Sequence, residues 1–176
     1  MTDIVAAERQ SGIPKPLFIF ELANNHMGDV GHGLRIISEF AALSKDMPFS
    51  FAFKLQFREL DTFIHPAFQD RMDIKYIKRF SETRLTRAQT RQLVDAIKAN
   101  GFLAMCTPFD EASVDRIVED GFDILKIASC SFTDWPLLEK IVATSLPIVG
   151  STAGIELGDM DNVVTFMKHR AKDFAL

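Results

Sequence analysis

Five short apolar runs, LFIFELA (17–23), FSFAFKLQF (49–57), FLAMCTPF (102–109), FDILKIAS (122–129) and LPIVGSTA (146–153), return along the chain, and a sixth begins at DFAL (173–176). The intervals between them are filled by segments with helical periodicity. Near-continuous apolar runs are strands covered on both faces, and strands alternating with helices over short connections give parallel strands joined by right-handed crossovers. In VGHGLRIISEFAALSK, Leu34, Ile37, Phe40 and Ala41 fall at helical spacing. LTRAQTRQLVDAIKANG carries a capping box at Thr86 and Gln89 and a stop at Asn100-Gly101. Further helices are expected in EASVDRIVEDG, DWPLLEKIVAT and DMDNVVTFMKHR. Two architectures accommodate this alternation, an open doubly wound sheet and a closed (β/α)8 barrel. No GxGxxG follows the first run, and polar residues recur at the end of every strand instead of at one switch point, which favours the barrel. A closed barrel takes about 250 residues. The chain has 176, so the expected fold is α/β, a (β/α)8 barrel truncated to about its first five βα units. Residues 1–16 read as a polar leader and 17–176 as the partial barrel domain.

Composition narrows the partners. An apolar share of 47% supports a packed core, and a net charge of -4 argues against a general polyanion-binding surface while leaving room for a local basic pocket. No nucleic-acid partner is expected. The basic stretch RMDIKYIKRFSETRLTRAQTR reads as a solvated helical face, with acidic residues interspersed. Cys106 and Cys130 have no CxxC spacing and no secretory segment before them, so reduced thiols and a cytoplasmic location are expected. Both cysteines are expected near the barrel mouth as packing groups. No apolar run approaches the roughly 20 residues that cross a bilayer, so no membrane partner is expected.

Strand alternation places Lys54 and Gln56 on one face and Phe53, Leu55 and Phe57 on the other, against helices; Glu21 is expected to share a face with Ile19 and Ala23. A lysine within FAFKLQF is costly to bury without an anion, and Lys126 in ILKIAS repeats the situation. Two readings stand side by side. The lysines pair with Glu21 or another barrel carboxylate, or they converge with hydroxyls from Thr107, Ser129 and Ser151 on one phosphorylated ligand. Asn24, Asn25 and His26, in FELANNHMGD, serve either a turn or a ligand. The histidines have no HExxH spacing, and no metal site is assigned within the chain.

FELANNHMGD, FKLQF, CTPFDEASVD, LKIAS followed by DWPLLEKI, and PIVGSTAG, in this order, resemble the N-terminal half of the sialic acid synthase (N-acetylneuraminate synthase) family. The variants ELANNHMGD and STAG are most similar to its spore coat polysaccharide branch. The resemblance implies a TIM barrel that binds phosphoenolpyruvate and condenses it with an N-acylated aldose. That acceptor is similar to N-acetylmannosamine, with or without a 6-phosphate, and the products are a nine-carbon 2-keto acid and phosphate. It implies that Lys54, Thr107, Lys126, Ser129 and Ser151 bind phosphoenolpyruvate, with Gln56 on the same inner face. Glu21 would face the sugar with Asn25 nearby, and Glu21, Lys54 and Lys126 form the implied catalytic set. It also implies a divalent metal, manganese or magnesium, whose ligands are expected beyond Leu176, and a homodimer of the full-length protein. The isolated chain is therefore expected to be inactive. The chain departs from the family's usual pattern at Ala23, where glycine is common, at Ser129-Cys130-Ser131 and at Ser151-Thr152-Ala153-Gly154. The family's asparagine-containing loop after the second strand is not recognisable in RELDTFIHPAFQD.

Two other functions suit the same residues. A Schiff-base aldolase acting on pyruvate would use Lys126 or Lys54, since desolvation lowers a lysine pKa. A noncatalytic phosphosugar-binding subunit would complete its barrel with another chain, because an incomplete barrel leaves sheet edges open.

Overall fold

A computed structural model describes residues 12–176. The greater part of the leader expected over 1–16 lies outside the described residues. Residues 12–16 pack against the barrel end from which the strands start: Ile13 is buried, and Pro16 accepts a hydrogen bond from the Ser50 amide. Gly12 lies against Pro147 and donates its amide to Asp173.

Six strands form one parallel sheet in chain order: β1 Leu17–Ala23, β2 Ser50–Phe57, β3 Leu103–Pro108, β4 Ile124–Ile127, β5 Ile148–Gly150 and β6 Phe174–Ala175. Strand order that never reverses has no topological switch point, which separates a barrel wall from a doubly wound sheet. The helices are α1 Val30–Ser44, α2 Leu60–Phe63, α3 Lys75–Glu82, α4 Arg87–Ala99, α5 Glu111–Glu119, α6 Trp135–Val142 and α7 Leu157–His169. The fold is thus a partial (β/α)8 barrel, five complete βα units and the start of a sixth strand.

Local chemistry fixes the helix ends. Asp29 accepts the His32 amide at the start of α1, and Thr86 and Gln89 form both halves of the expected capping box on α4. Asn100 caps α4, and Gly101 follows with φ +78°. Among the described residues, no helix is long and apolar enough to cross a membrane.

Two apolar layers follow from strand alternation. On the helix side, Phe53, Leu55, Cys106 and Leu125 pack with Ile37, Leu93, Ile97 and Ile141. Phe20 stacks on Phe51 with centroids 5.2 Å apart, and Phe53 meets Phe102 edge-on at 5.2 Å. Burial of each such side chain is worth about 1.5–3 kcal/mol, which makes this layer the main source of stability. The inner layer is small: Ala52, Met105 and Ile124 are fully buried, with Leu17, Leu103 and Val149 against them. It forms an apolar floor beneath the polar ends of the strands.

Alternation fails at one place. Glu21 pairs with Lys54, but Ala23 pairs with Leu55, so Leu22 is an extra residue in the ladder and turns into the helix-side core. Ala23 therefore lies opposite a helix-side residue and does not share Glu21's register on the inner face, contrary to the expectation from period-two reading. Its φ is +42°, a conformation that favours glycine. Cys106 also departs from expectation. It points into the helix-side core, away from the mouth, and burial pushes its thiol pKa well up, while Cys130 is exposed in the turn after β4.

The turn after β1 is tightly held. Gly28 has φ +77° and donates its amide to His26 Nδ1 at 3.1 Å; a Cβ there would stand 2.6 Å from the Glu82 carbonyl oxygen at the end of α3.

Candidate active site

The inner face of the sheet ends in two ammonium groups with different partners. Lys54 Nζ pairs with Glu21 Oε2 across β1 and β2; the lysine side chain is 11% exposed and the glutamate 50%. Lys126 Nζ instead donates to Ser151 Oγ and to the Ile127 carbonyl oxygen at 2.7 Å. Among the described residues, Lys126 pairs with no carboxylate. Burial, with Lys54's charge adding to it and Glu21's opposing it, lowers the Lys126 pKa to about 8. The two lysines therefore share one electrostatic environment, with a single carboxylate between two cations.

The other expected residues gather unevenly. Thr107 is opposite Gln56 in the β2–β3 register and is buried, and its Oγ1 has no hydrogen-bond partner. A buried hydroxyl left without a partner costs about 1–3 kcal/mol. Ser129 opens a single 3-10 turn, Ser129–Ser131, directly after β4. Gln56 accepts from both terminal nitrogens of Arg58, at 3.3 and 3.4 Å. Asn25 is exposed at the end of β1, and its amide donates to the Glu21 carbonyl oxygen at 3.1 Å, which braces the turn carrying Glu21. His26 is buried in the same turn, and burial lowers its pKa.

Arg58 was not singled out by sequence reading. Its guanidinium is 4.2 Å from the Phe80 ring centroid and 3.7 Å from that of Phe109, which joins rings from α3 and from the end of β3. Burial lowers its pKa to about 10. Arg58 lines a cavity of about 70 Å³ together with Ala23, His26, Gln56, Thr90 and Arg116. None of Lys54, Thr107, Lys126 or Ser151 lines that cavity, so the converging cations and hydroxyls define the candidate site. Among the described residues, no three His, Cys, Asp or Glu side chains converge to hold a metal.

A family model, NeuB family, matches residues 51–176. The chain belongs to the NeuB family. A solved NeuB-like structure, spore coat polysaccharide biosynthesis protein E from Chromobacterium violaceum, is 59% identical with a TM-score of 0.88, covering 91% of this chain and 48% of that one. The N-acetylneuraminic acid (sialic acid) synthetase of Leptospira borgpetersenii, solved with citrate, is 25% identical with a TM-score of 0.74, covering 93% of this chain and 53% of that one. The N,N'-diacetyllegionaminic acid synthase of Campylobacter jejuni is 26% identical over 165 residues, 90% of this chain and 48% of that protein. The chain thus spans about half the length of the curated relatives it matches. The resemblance to sialic acid synthases and to the spore coat branch is borne out.

Proposed function

We propose that this chain supplies the phosphoenolpyruvate-binding half of a synthase that joins phosphoenolpyruvate to an N-acylated aldose. The acceptor is N-acetylmannosamine-like and the product a sialic-acid-like 2-keto acid. The observation that carries the reading is the convergence on the inner face of Lys54, the orphaned Thr107 hydroxyl and Lys126, which has no carboxylate partner among the described residues. Preorganised cations and unused donors are what a trianionic substrate requires.

Lys126, Ser151, Thr107, Ser129 and Lys54 hold the phosphate and carboxylate of phosphoenolpyruvate, with Gln56 on the same face. Glu21, half exposed beside Lys54, faces the acceptor, and Asn25 fixes its turn. Carbon 3 of phosphoenolpyruvate forms the new bond to the aldehyde carbon, whose oxygen takes up a proton. Water adds at carbon 2, and the bond between carbon 2 and the bridging oxygen breaks. Phosphate leaves with that oxygen, and the water oxygen becomes the ketone. A divalent metal, manganese or magnesium, would polarise the aldehyde. The described residues do not form its site. The reading includes a cytoplasmic homodimer of the full-length protein.

The test is phosphate release by the full-length protein supplied with manganese, phosphoenolpyruvate and N-acetylmannosamine or its 6-phosphate. Stoichiometric release of phosphate with formation of a 2-keto acid supports the proposal; no release with either acceptor rejects it for those acceptors. The lowered pKa of Lys126 favours one competitor, a Schiff-base aldolase on pyruvate. A borohydride-trapped pyruvate adduct on Lys126 would replace the synthase reading with that one.

A further inference from the structure

Gln56 stands between two environments. It follows Lys54 on the inner face and lies opposite Thr107 in the β2–β3 register, and it also lines the cavity that Arg58 lines. Its side chain ends in an amide, an acceptor oxygen on one side and two N–H donors on the other. Which end faces the substrate decides whether Gln56 attracts or repels an anion there.

Arg58 settles that choice. A guanidinium carries five donors and no acceptor, so only the amide oxygen can face it; turning the amide over would set donor against donor. Both terminal nitrogens of Arg58 donate to Gln56 Oε1, at 3.3 and 3.4 Å. These bonds are long, and they act because the guanidinium is held in place. The Phe80 centroid is 4.2 Å from it and the Phe109 centroid 3.7 Å. Phe109 is tied to β2 in turn, its amide donating to the Phe57 carbonyl oxygen at 3.1 Å. Asp110 supplies a nearby negative charge, while its two oxygens accept the Ser113 amide at 2.7 Å and the Glu59 amide at 2.8 Å. Arg58 thus keeps its charge without a ligand.

With Oε1 turned to Arg58, Gln56 Nε2 turns the other way, and among the described residues no acceptor meets it. Thr107 Oγ1, across the strand pair, has no partner either. Two strand neighbours are left with unused donors on the face that carries Lys54.

We infer that Arg58 is a positioning residue for phosphoenolpyruvate: clasped by Phe80 and Phe109, it holds the Gln56 amide so that Nε2 donates to a carboxylate or phosphate oxygen of that substrate. The inference rests on the proposed synthase reading and deepens it. Arg58 itself touches no substrate, and its effect passes through Gln56.

The experiment is a double-mutant cycle on the full-length protein. Phosphoenolpyruvate affinity is read by calorimetry in the wild type, Arg58→Met, Gln56→Ala and the double variant, each first checked for an unchanged circular dichroism spectrum. Gln56→Ala is expected to weaken phosphoenolpyruvate by about 10- to 150-fold, the range for a hydrogen bond to a charged acceptor. Arg58→Met frees the amide to rotate and should weaken it by about 3- to 10-fold, comparable to the cost of ordering one flexible side chain on binding. In the Gln56→Ala background the same change should cost less than about twofold, because no amide remains to be oriented. A guanidinium that attracted the substrate directly, or that only held the fold, would cost as much in both backgrounds, so equal losses overturn the inference. Unchanged affinity in Arg58→Met also overturns it. Should Arg58→Met fail to fold, Arg58→Lys, which keeps the charge but not the fork, takes its place in the cycle, with a loss expected in the wild-type background alone. A wild type that binds no phosphoenolpyruvate rejects the synthase reading and the inference with it; a wild type that binds, with additive losses, rejects the inference alone.

Discussion

Lys126 and Ser151, 25 residues apart, meet across β4 and β5, ammonium to hydroxyl, and among the described residues no carboxylate joins them. This contact keeps a cation aimed into the barrel while leaving its charge unneutralised. Replacing Lys126 with Met is expected to weaken phosphoenolpyruvate binding at least tenfold, from the loss of a charge-assisted bond. It should not lower the melting temperature, because the substitution also removes a partly buried charge. A Lys126→Met protein that binds phosphoenolpyruvate as tightly as wild type, measured by calorimetry, would show that the cation is structural.

The lowered pKa of Lys126 gives the same contact a pH signature. Below about pH 8 the amine is protonated in the free protein and holds an anion; above it, binding must draw a proton from solution. Affinity for phosphoenolpyruvate is therefore expected to be flat below pH 8 and to fall by up to tenfold per unit above it. The linkage to stability has the opposite sense. The folded form holds fewer protons than the unfolded chain between about 8 and the ordinary lysine value of 10.5, so this group raises stability as pH rises through that window. Titrations from pH 6.5 to 9.5, compared with Lys126→Met, would reveal both slopes.

Thr107 separates binding from stability in another way. Its hydroxyl is buried without a partner, so Thr107→Val, which keeps the shape and removes the orphan, is expected to stabilise the protein by about 1 kcal/mol. The same change should weaken phosphoenolpyruvate by about 5- to 30-fold, the worth of roughly 1–2 kcal/mol in a lost hydrogen bond. Thermal melts and calorimetry on one pair of proteins read both effects. A drop in stability would mean that the hydroxyl has a structural partner after all.

Ala23 offers a test of the bulge alone. A left-handed backbone costs an L-residue about 1–2 kcal/mol, and glycine gives back about 0.5–1 of that through its freer unfolded chain. Ala23→Gly is therefore expected to stabilise the protein by about 0.5–1 kcal/mol, seen as a higher denaturant midpoint at unchanged slope. Unchanged or reduced stability would argue that the alanine methyl group packs well enough to offset its backbone.

The sequence disclosed the parts of this molecule that repeat. Apolar runs and capping residues located the strands and α4, because each is a local pattern of period 2 or 3.6. Lys54, Gln56 and the helix-facing phenylalanines followed from alternation alone. Alternation could not announce its own failure at Ala23, since the register shift there is set by pairing with β2. Arg58 was hidden for a related reason. Continuing the run 54, 56, 58 would have placed it inward, but its significance comes from Phe80 and Phe109, supplied by distant segments of the chain. Which carboxylate each lysine meets was likewise undecidable from the letters: among the described residues Lys54 has Glu21 and Lys126 has only neutral partners.

Gly28 ties the turn after the chain's first strand to the guanidinium that follows its second. The missing side chain lets the Glu82 carbonyl settle against the turn, and Glu82 ends the same short helix that carries Phe80. A methyl group at position 28 would act as a wedge, lifting that helix and loosening one jaw of the grip on Arg58. The seating of Arg58 is then exposed to mutation at a residue that touches neither the guanidinium nor its rings.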